Sequence, residues 1–291
     1  MKKEREIASN KPGTSKYLNT SLTVFFSVLS VAYILPIVIV LINSFKDRRE
    51  ISASPFSIPS SDSFVGFENY INGMTSGNYP FYLAVIYSVF ITIASTLVIL
   101  LCTSMCAWYI TRRGTKTSNF FYLLCIISMV VPFQTVMFTL PQIANMLGLG
   151  NPIGIILIYL GFGAGLAVFM FTGFVKSIPL EIEEAATIDG CGPLRTFFSV
   201  VLPVMKPTVV SVSILQLMWI WNDYLLPYRV LDLNKYRTIP IQVQYLNAGY
   251  GLKDIGAMMS MVIISIIPII IFYLACQKSI VKGIVAGAVK G

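Results

Sequence analysis

The chain is 291 residues long, 56% hydrophobic and only 12% charged, with a net charge of +8 and no histidine. An apolar fraction of that size exceeds what the surface of a water-soluble domain carries, so a soluble enzyme or a nucleic-acid-binding protein is excluded and a membrane protein is indicated. The missing histidine removes the commonest general base and metal ligand, and the positive charge reads as loop bias and contact with anionic membrane lipid.

A helix needs about 20 apolar residues to cross a hydrocarbon core of roughly 30 Å. Six charge-free segments qualify in chain order: Leu22 to Asn43, Leu83 to Tyr109, Phe120 to Pro141, Ile153 to Val175, Thr208 to Leu226 and Ile255 to Cys276. The turn chemistry of Gly148-Leu149-Gly150-Asn151-Pro152 divides the third from the fourth. Pro36, Pro132 and Pro268 fall inside these segments and read as kinks. The first span is longer than a signal-peptide core and lacks a small-residue cleavage site, so it reads as a retained helix. The chain thus divides into an N-terminal segment 1–16, a six-helix body 17–276 with a loop at about 177–207, and a tail 277–291.

Lysine and arginine set the expected orientation. With the N-terminus in the cytoplasm, the inner segments hold Lys2, Lys3, Arg5, Lys11 and Lys16, then Arg112, Arg113 and Lys116, then Lys176, Arg195 and Lys206, then Lys278, Lys282 and Lys290. The outer segments hold half as many, at 46–49 and 229–253, so both termini are expected in the cytoplasm. The outer loop from Lys46 to Pro80 carries Phe64, Val65, Phe67, Tyr70 and Ile71, which predict a short interfacial helix. Trp108 and Tyr109 read as an inner aromatic belt. Gly161, Gly163, Gly165 and Gly173 predict close packing of the fourth span on a neighbour. The five cysteines show no metal-ligand spacing and read as packing residues, with Cys102 and Cys106 on one helix face.

The central turns of the spans contain no Asp, Glu, Lys, Arg or His, which argues against a proton relay. There is no phosphate-binding Gly-x-x-x-x-Gly-Lys-Ser/Thr loop, no zinc-protease motif and no nucleophile elbow. Uphill transport by this chain therefore needs an energy source on another chain.

One polar stretch stands out. Glu181, Glu183, Glu184 and Asp189 crowd into the expected cytoplasmic loop between the fourth and fifth spans. Ser177 is expected to cap a helix there, with Pro179 in its first turn and the glutamates at the positive end of its macrodipole. Gly190 terminates it in a left-handed turn, and Gly192-Pro193 opens a second helix through Phe197 and Phe198. Helices of about ten residues do not persist alone in water, so this hairpin must pack on something. Ala185 and Ala186 predict a face that another surface can approach closely, with Ile182, Ile188, Leu194, Phe197 and Phe198 as apolar area and Glu184 and Asp189 facing basic groups of a partner. A solvated loop whose acids merely cap helices is an equal alternative at this point.

The run Glu184-Ala185-Ala186-Thr187-Ile188-Asp189-Gly190, followed by Phe198, Leu202-Pro203 and Pro207, resembles the EAA loop of membrane subunits of binding-protein-dependent ABC importers. The run 221–227 and the tail from Gln277 are similar to the carbohydrate-uptake branch, especially MalG-type permeases. Cys191 stands where that family usually has alanine. The resemblance implies an all-α polytopic membrane protein of the type I ABC importer permease fold, with six transmembrane helices and a cytoplasmic coupling-helix hairpin. It implies a non-catalytic permease subunit that pairs with a second homologous permease chain, with ABC ATPase subunits that bind ATP and Mg, and with an extracytoplasmic sugar-binding protein. No cofactor is expected in this chain. Glu184, Ala185, Ala186, Asp189 and Gly190 would couple it to the ATPase, and the tail would reach into the ATPase pair. Trp219, Trp221, Asn222 and Tyr224 are candidates for a sugar path, although aromatic residues occupy such depths routinely. The expected cargo is a sugar, preferably an oligosaccharide. A polyol or glycerol phosphate is the alternative, less favoured because no cation lines the spans. A stand-alone channel or carrier and a membrane-embedded enzyme remain as other classes.

Overall fold

The computed structural model describes residues 16–75, 78–248 and 254–288. The N-terminal segment 1–15 and the last three residues lie outside it, as do the side chains of Lys278 and Lys282. Among the described residues there is no strand, only an isolated antiparallel bridge between Lys46 and Phe64. The chain runs α1 Lys16–Asn43, α2 Arg48–Ala53, α3 Glu68–Thr75, α4 Phe81–Arg113, α5 Lys116–Val130, α6 Phe133–Val136, α7 Thr139–Met146, α8 Gly154–Val175, α9 Leu180–Ile188, α10 Pro193–Thr196, a π-helical turn Phe197–Val201, α11 Leu202–Val204, α12 Lys206–Asn222, α13 Leu225–Val230, α14 Ile239–Ala248 and α15 Ile255–Ala288.

Helices occupy all six expected positions, but only α1, α4, α8 and α15 are each long and apolar enough to cross a membrane unaided. The other two are shortened by identifiable residues. Pro132 does not kink the third span but ends it: the residue before a proline is steered out of the α region, and Val131 sits at φ −73°, ψ 112°, so α5 stops after 15 residues. The chain then continues through α6 and α7. The fifth span, α12, stops at Asn222 because Asp223 turns extended at φ −73°, ψ 121° and caps the start of α13 through its own carboxylate, Oδ1 accepting from the N–H groups of Leu225 and Leu226 at 3.0 and 3.3 Å. Pro36 and Pro268, by contrast, remain inside continuous helices. The 148–152 turn forms as expected, with Gly148 at φ +67° and Asn151 Oδ1 accepting from the N–H groups of Ile153 and Gly154.

The core is built around α8. Its Ile155, Tyr159, Ala167, Val168, Phe171 and Val175 are buried, and α4 packs on it most extensively, followed by α5 and α12. Two of the four glycines singled out in the fourth span explain how this is possible. A β-carbon at Gly163 would lie 2.7 Å from Ile99, and one at Gly165 would lie 2.6 Å from the backbone oxygen of Cys125. Gly161 and Gly173 face open space and take no part in the approach. Gln216 of α12 reaches into the same layer and donates to the Gly163 carbonyl at 3.1 Å.

A second, smaller core of Phe81, Ile239 and Met261 closes the end of the molecule opposite α9. There the expected short helix appears as α3, held by Asn69, whose amide donates to the carbonyls of Ser44 and Lys46 at 2.9 Å each. Lys46 is fully buried, and its ammonium donates to the Ser54 carbonyl at 2.9 Å and the Ser57 hydroxyl at 3.0 Å, which ties the loop around α2. Arg237 lies between the rings of Tyr79 and Tyr245, 4.8 and 4.1 Å from their centroids.

Because a Gly165 side chain would strike backbone, Gly165→Val is expected to lower stability by about 1–3 kcal/mol, in the range of core overpacking. Gly161→Ala is expected to be near neutral, and thermal unfolding of the two variants in detergent compares them.

Candidate functional site

The polar stretch folds as the predicted hairpin. Helix α9 ends in a double-bonded left-handed turn: Gly190 adopts φ +79°, its N–H donates to the Thr187 carbonyl at 3.0 Å, and the Cys191 N–H donates to the Ala186 carbonyl at 2.9 Å. Pro193 occupies the first turn of α10, as its fixed φ favours. The start of α9 differs from expectation. Pro179 is the cap residue and makes no side-chain bond, while the Ser177 hydroxyl donates to the Phe174 carbonyl at 2.7 Å and closes the end of α8. Charge near the macrodipole, rather than a serine cap, favours this terminus.

The four acids have different surroundings. Glu181, Glu184 and Asp189 are exposed, whereas Glu183 is 7% exposed. Its Oε1 accepts from Arg112 Nε at 2.9 Å and Nη2 at 2.7 Å, and its Oε2 accepts from the Trp108 indole N–H at 2.9 Å. Arg112 Nη2 also donates to the Ile178 carbonyl at 2.9 Å. Trp108 packs against Phe197, with centroids 5.5 Å apart, so it is not a belt residue. Tyr109 does face outward, 58% exposed.

The expected alanine face divides between two surroundings. Ala185 is exposed on one side of α9 with Ile182 and Ile188, while Ala186 is 8% exposed and faces into the protein. Ile188 and Leu194, at 87% and 63% exposed, carry most of the free apolar area of the hairpin. Phe197 is completely buried and belongs to the main core, and Phe198 is half exposed. A groove of about 510 Å³ runs between α9 and α10, lined by Glu184, Thr187, Ile188, Cys191 and Pro193 among others. The hairpin joins α12 through the π-helical turn and a 79° bend.

The four path candidates near the other end of α12 do not converge. Trp219 stands on the exposed face with Leu215 and Met218 and meets the Tyr159 ring edge-on, centroids 5.4 Å apart. Trp221 instead lines a cavity of about 250 Å³ between α4, α12 and α15, with Thr92, Pro268 and Phe272. The Asn222 amide turns back to the Met218 carbonyl at 2.8 Å, and Tyr224 stacks on Tyr228 at 5.0 Å. What sequence reasoning missed is Tyr159, whose hydroxyl donates to Asp223 Oδ2 at 3.0 Å and ties α8 to the break after α12. Among the described residues no group of three or more Cys, Asp or Glu side chains is placed to hold a metal ion.

Residues 99–285 match the family described as binding-protein-dependent transport system inner membrane component. The chain is 36% identical over 280 residues to the "Probable starch degradation products transport system permease protein AmyC" of Thermoanaerobacterium thermosulfurigenes, covering 96% of this chain and 99% of that one. It is 32% identical to the "Multiple sugar-binding transport system permease protein MsmG" of Streptococcus mutans, over 92% and 95% of the two chains. It is 30% identical to the "Melibiose/raffinose/stachyose import permease protein MelC" of Bacillus subtilis, over 93% and 96%. In fold it is similar to a chain of a bacterial ABC transporter involved in the import of the acidic polysaccharide alginate, with a TM-score of 0.77 at 20% identity, over 92% of this chain and 99% of that one. A six-helix architecture with a helical hairpin before the fifth span, matched along nearly its whole length by transport permeases, makes this chain a member of the binding-protein-dependent transport system inner membrane component family.

Proposed function

We propose that the chain is the permease subunit through which an ATP-driven importer passes a carbohydrate of oligosaccharide size, with the α9–α10 hairpin as the seat of its ATPase. The observation that carries the coupling part is the hairpin: a short, rigidly terminated helix pair that presents Ala185, Ile182, Ile188 and Leu194 outward, with Glu184 and Asp189 beside them. Exposed apolar side chains on a helix this short gain little unless a partner covers them. The carbohydrate part is supported by the names of three relatives, which are permeases for starch degradation products, for multiple sugars, and for melibiose, raffinose and stachyose.

The magnitudes assign roles within the docking surface. Moving a two-state transporter from 1:99 to 99:1 needs about 5.5 kcal/mol of differential interaction. An exposed ion pair contributes roughly 0.2–1 kcal/mol, so Glu184 and Asp189 set register. Burial of Ile188 and Leu194 supplies the larger share, at about 1.5–3 kcal/mol for each fully buried side chain. ATP and Mg belong to the ATPase, and a second permease chain completes the path. The interior of this chain around α8 is filled with side chains, so the path runs along an outer face, and the exposed side of α12 with Leu215, Met218 and Trp219 is its candidate wall. The hairpin then faces the cytoplasm, as does the N-terminus.

Ala185→Trp is expected to release the ATPase from the purified complex while the permease still folds, because residue 185 is on the free face. Ala186→Trp strikes the chain's own interior and is expected to reduce folded yield. Size-exclusion profiles of both, with immunodetection of the ATPase, read the difference, and an Ala185→Trp complex that keeps its ATPase would refute the docking assignment. For the path, Trp219→Ala is expected to raise the half-saturating concentration for oligosaccharide uptake by roughly two- to tenfold with ATPase retention unchanged, since an aromatic stacking contact contributes about 0.5–1.5 kcal/mol.

A further inference from the structure

We propose that Arg112, Glu183 and Trp108 form a clamp that makes the coupling hairpin and the last turns of α4 one rigid body, so that force applied to the hairpin travels along α4. The proposal rests on the hairpin being the seat of the ATPase and names how its movement leaves that seat. Arg112 and Trp108 lie four residues apart on one face of α4 and grip opposite oxygens of the same carboxylate. Arg112 additionally holds the Ile178 carbonyl, so both the helix α9 and the linker that enters it are tied to α4. The Trp108 ring meets Phe197, the first residue of the π-helical turn, which ties the hairpin's other limb to the same place. A carboxylate this buried with three charge-assisted or indole donors is geometrically demanding, and little sliding is possible without losing one of them.

The two outlets from the hairpin are mechanically unequal. Toward α12 the chain passes a π-helical turn and a 79° bend, where an irregular backbone absorbs displacement. Toward α4 it meets an unbroken helix of 33 residues, about 50 Å long. Helix α4 packs along α8 and ends at Phe81, fully buried in the second core with Ile239 and Met261. A displacement that enters at Arg112 therefore reaches the far end of the molecule through one stiff element. Glu183 is a positioning residue in this scheme: it contacts neither solute nor nucleotide.

The test uses the purified permease–ATPase complex in nanodiscs, with the five native cysteines replaced by serine and spin labels at Tyr109→Cys and Glu181→Cys, both exposed positions outside the docking residues. Double electron–electron resonance is recorded without nucleotide and after trapping with ATP and vanadate. The expected result is an unshifted distance in the parent complex. In Glu183→Gln, and independently in Arg112→Lys, the distance is expected to shift on trapping, and ATP hydrolysed per solute imported is expected to rise severalfold. A parent distance that itself shifts on trapping overturns the clamp. So do variants that keep the parent's distance pattern and differ only in melting temperature, which would mark the cluster as purely structural. If no ATPase accompanies the parent chain, the coupling reading fails and the clamp with it, which separates the two failures.

Discussion

One buried carboxylate organises the hairpin end of this protein. Taking Glu183 out of water costs several kcal/mol unless its lone pairs are met, and the structure meets them with a guanidinium and an indole from a single helix face. That requirement fixes where α9 lies, because no other placement offers Arg112 and Trp108 together. It also orients the hairpin: with Glu183 and Ala186 turned inward, Ala185, Ile188 and the remaining acids are turned outward by helical periodicity alone. The face proposed for docking is a consequence of the internal bond rather than a separate design.

The opposite end follows a related rule. In hydrocarbon every backbone group needs a partner, so a span can break only where something satisfies the freed N–H and C=O groups. Asp223 does this at the end of α12, accepting from two backbone N–H groups and from Tyr159, which is fully buried in α8. The break thus sits against the most central helix, beside Trp219. The irregular segment is held by a polar side chain and flanked by an exposed aromatic face, so it combines hydrogen-bonding groups with ring surfaces, the chemistry on which the proposed solute path rests.

Much of this was legible from the residues, and the failures have physical reasons. Charge-free length located helices at all six expected positions, four of them long enough to span, and Gly190 and Pro193 announced both limbs of the hairpin because left-handed and fixed-φ positions are local properties. Pro132 reads as a kink because the charge-free run around it is long enough to span, whereas its steric effect on Val131 ends the helix. Glu183 looked like one of several dipole-favoured acids, and Arg112 like one of several loop cations. Their pairing joins residues 71 apart, and no local pattern encodes such a contact. The serine at 177 was a plausible cap by type, but its hydroxyl had a nearer acceptor in the last turn of α8. Ala185 and Ala186 were read as one face although adjacent helical residues point about 100° apart, which the inward pull on Ala186 makes plain.

The packing of α8 links these two ends. Its glycines at 163 and 165 let α4, α5 and α12 approach closely, and cores at that density pass on a displacement instead of absorbing it. Helix α1 is the most exposed of the long helices and packs on the body chiefly through α15, with its last residue, Asn43, buried. Lipid is as apolar as leucine, so a span with so exposed a surface loses little by facing it. A dense block of α4, α5, α8 and α12 thus holds the Glu183 cluster and the Asp223 break, while α1 meets the body along α15. In such a block the hairpin is tied to α4 by Arg112 and Trp108, the break is tied to α8 by Tyr159, and α4 and α8 pack on each other closely at Gly163.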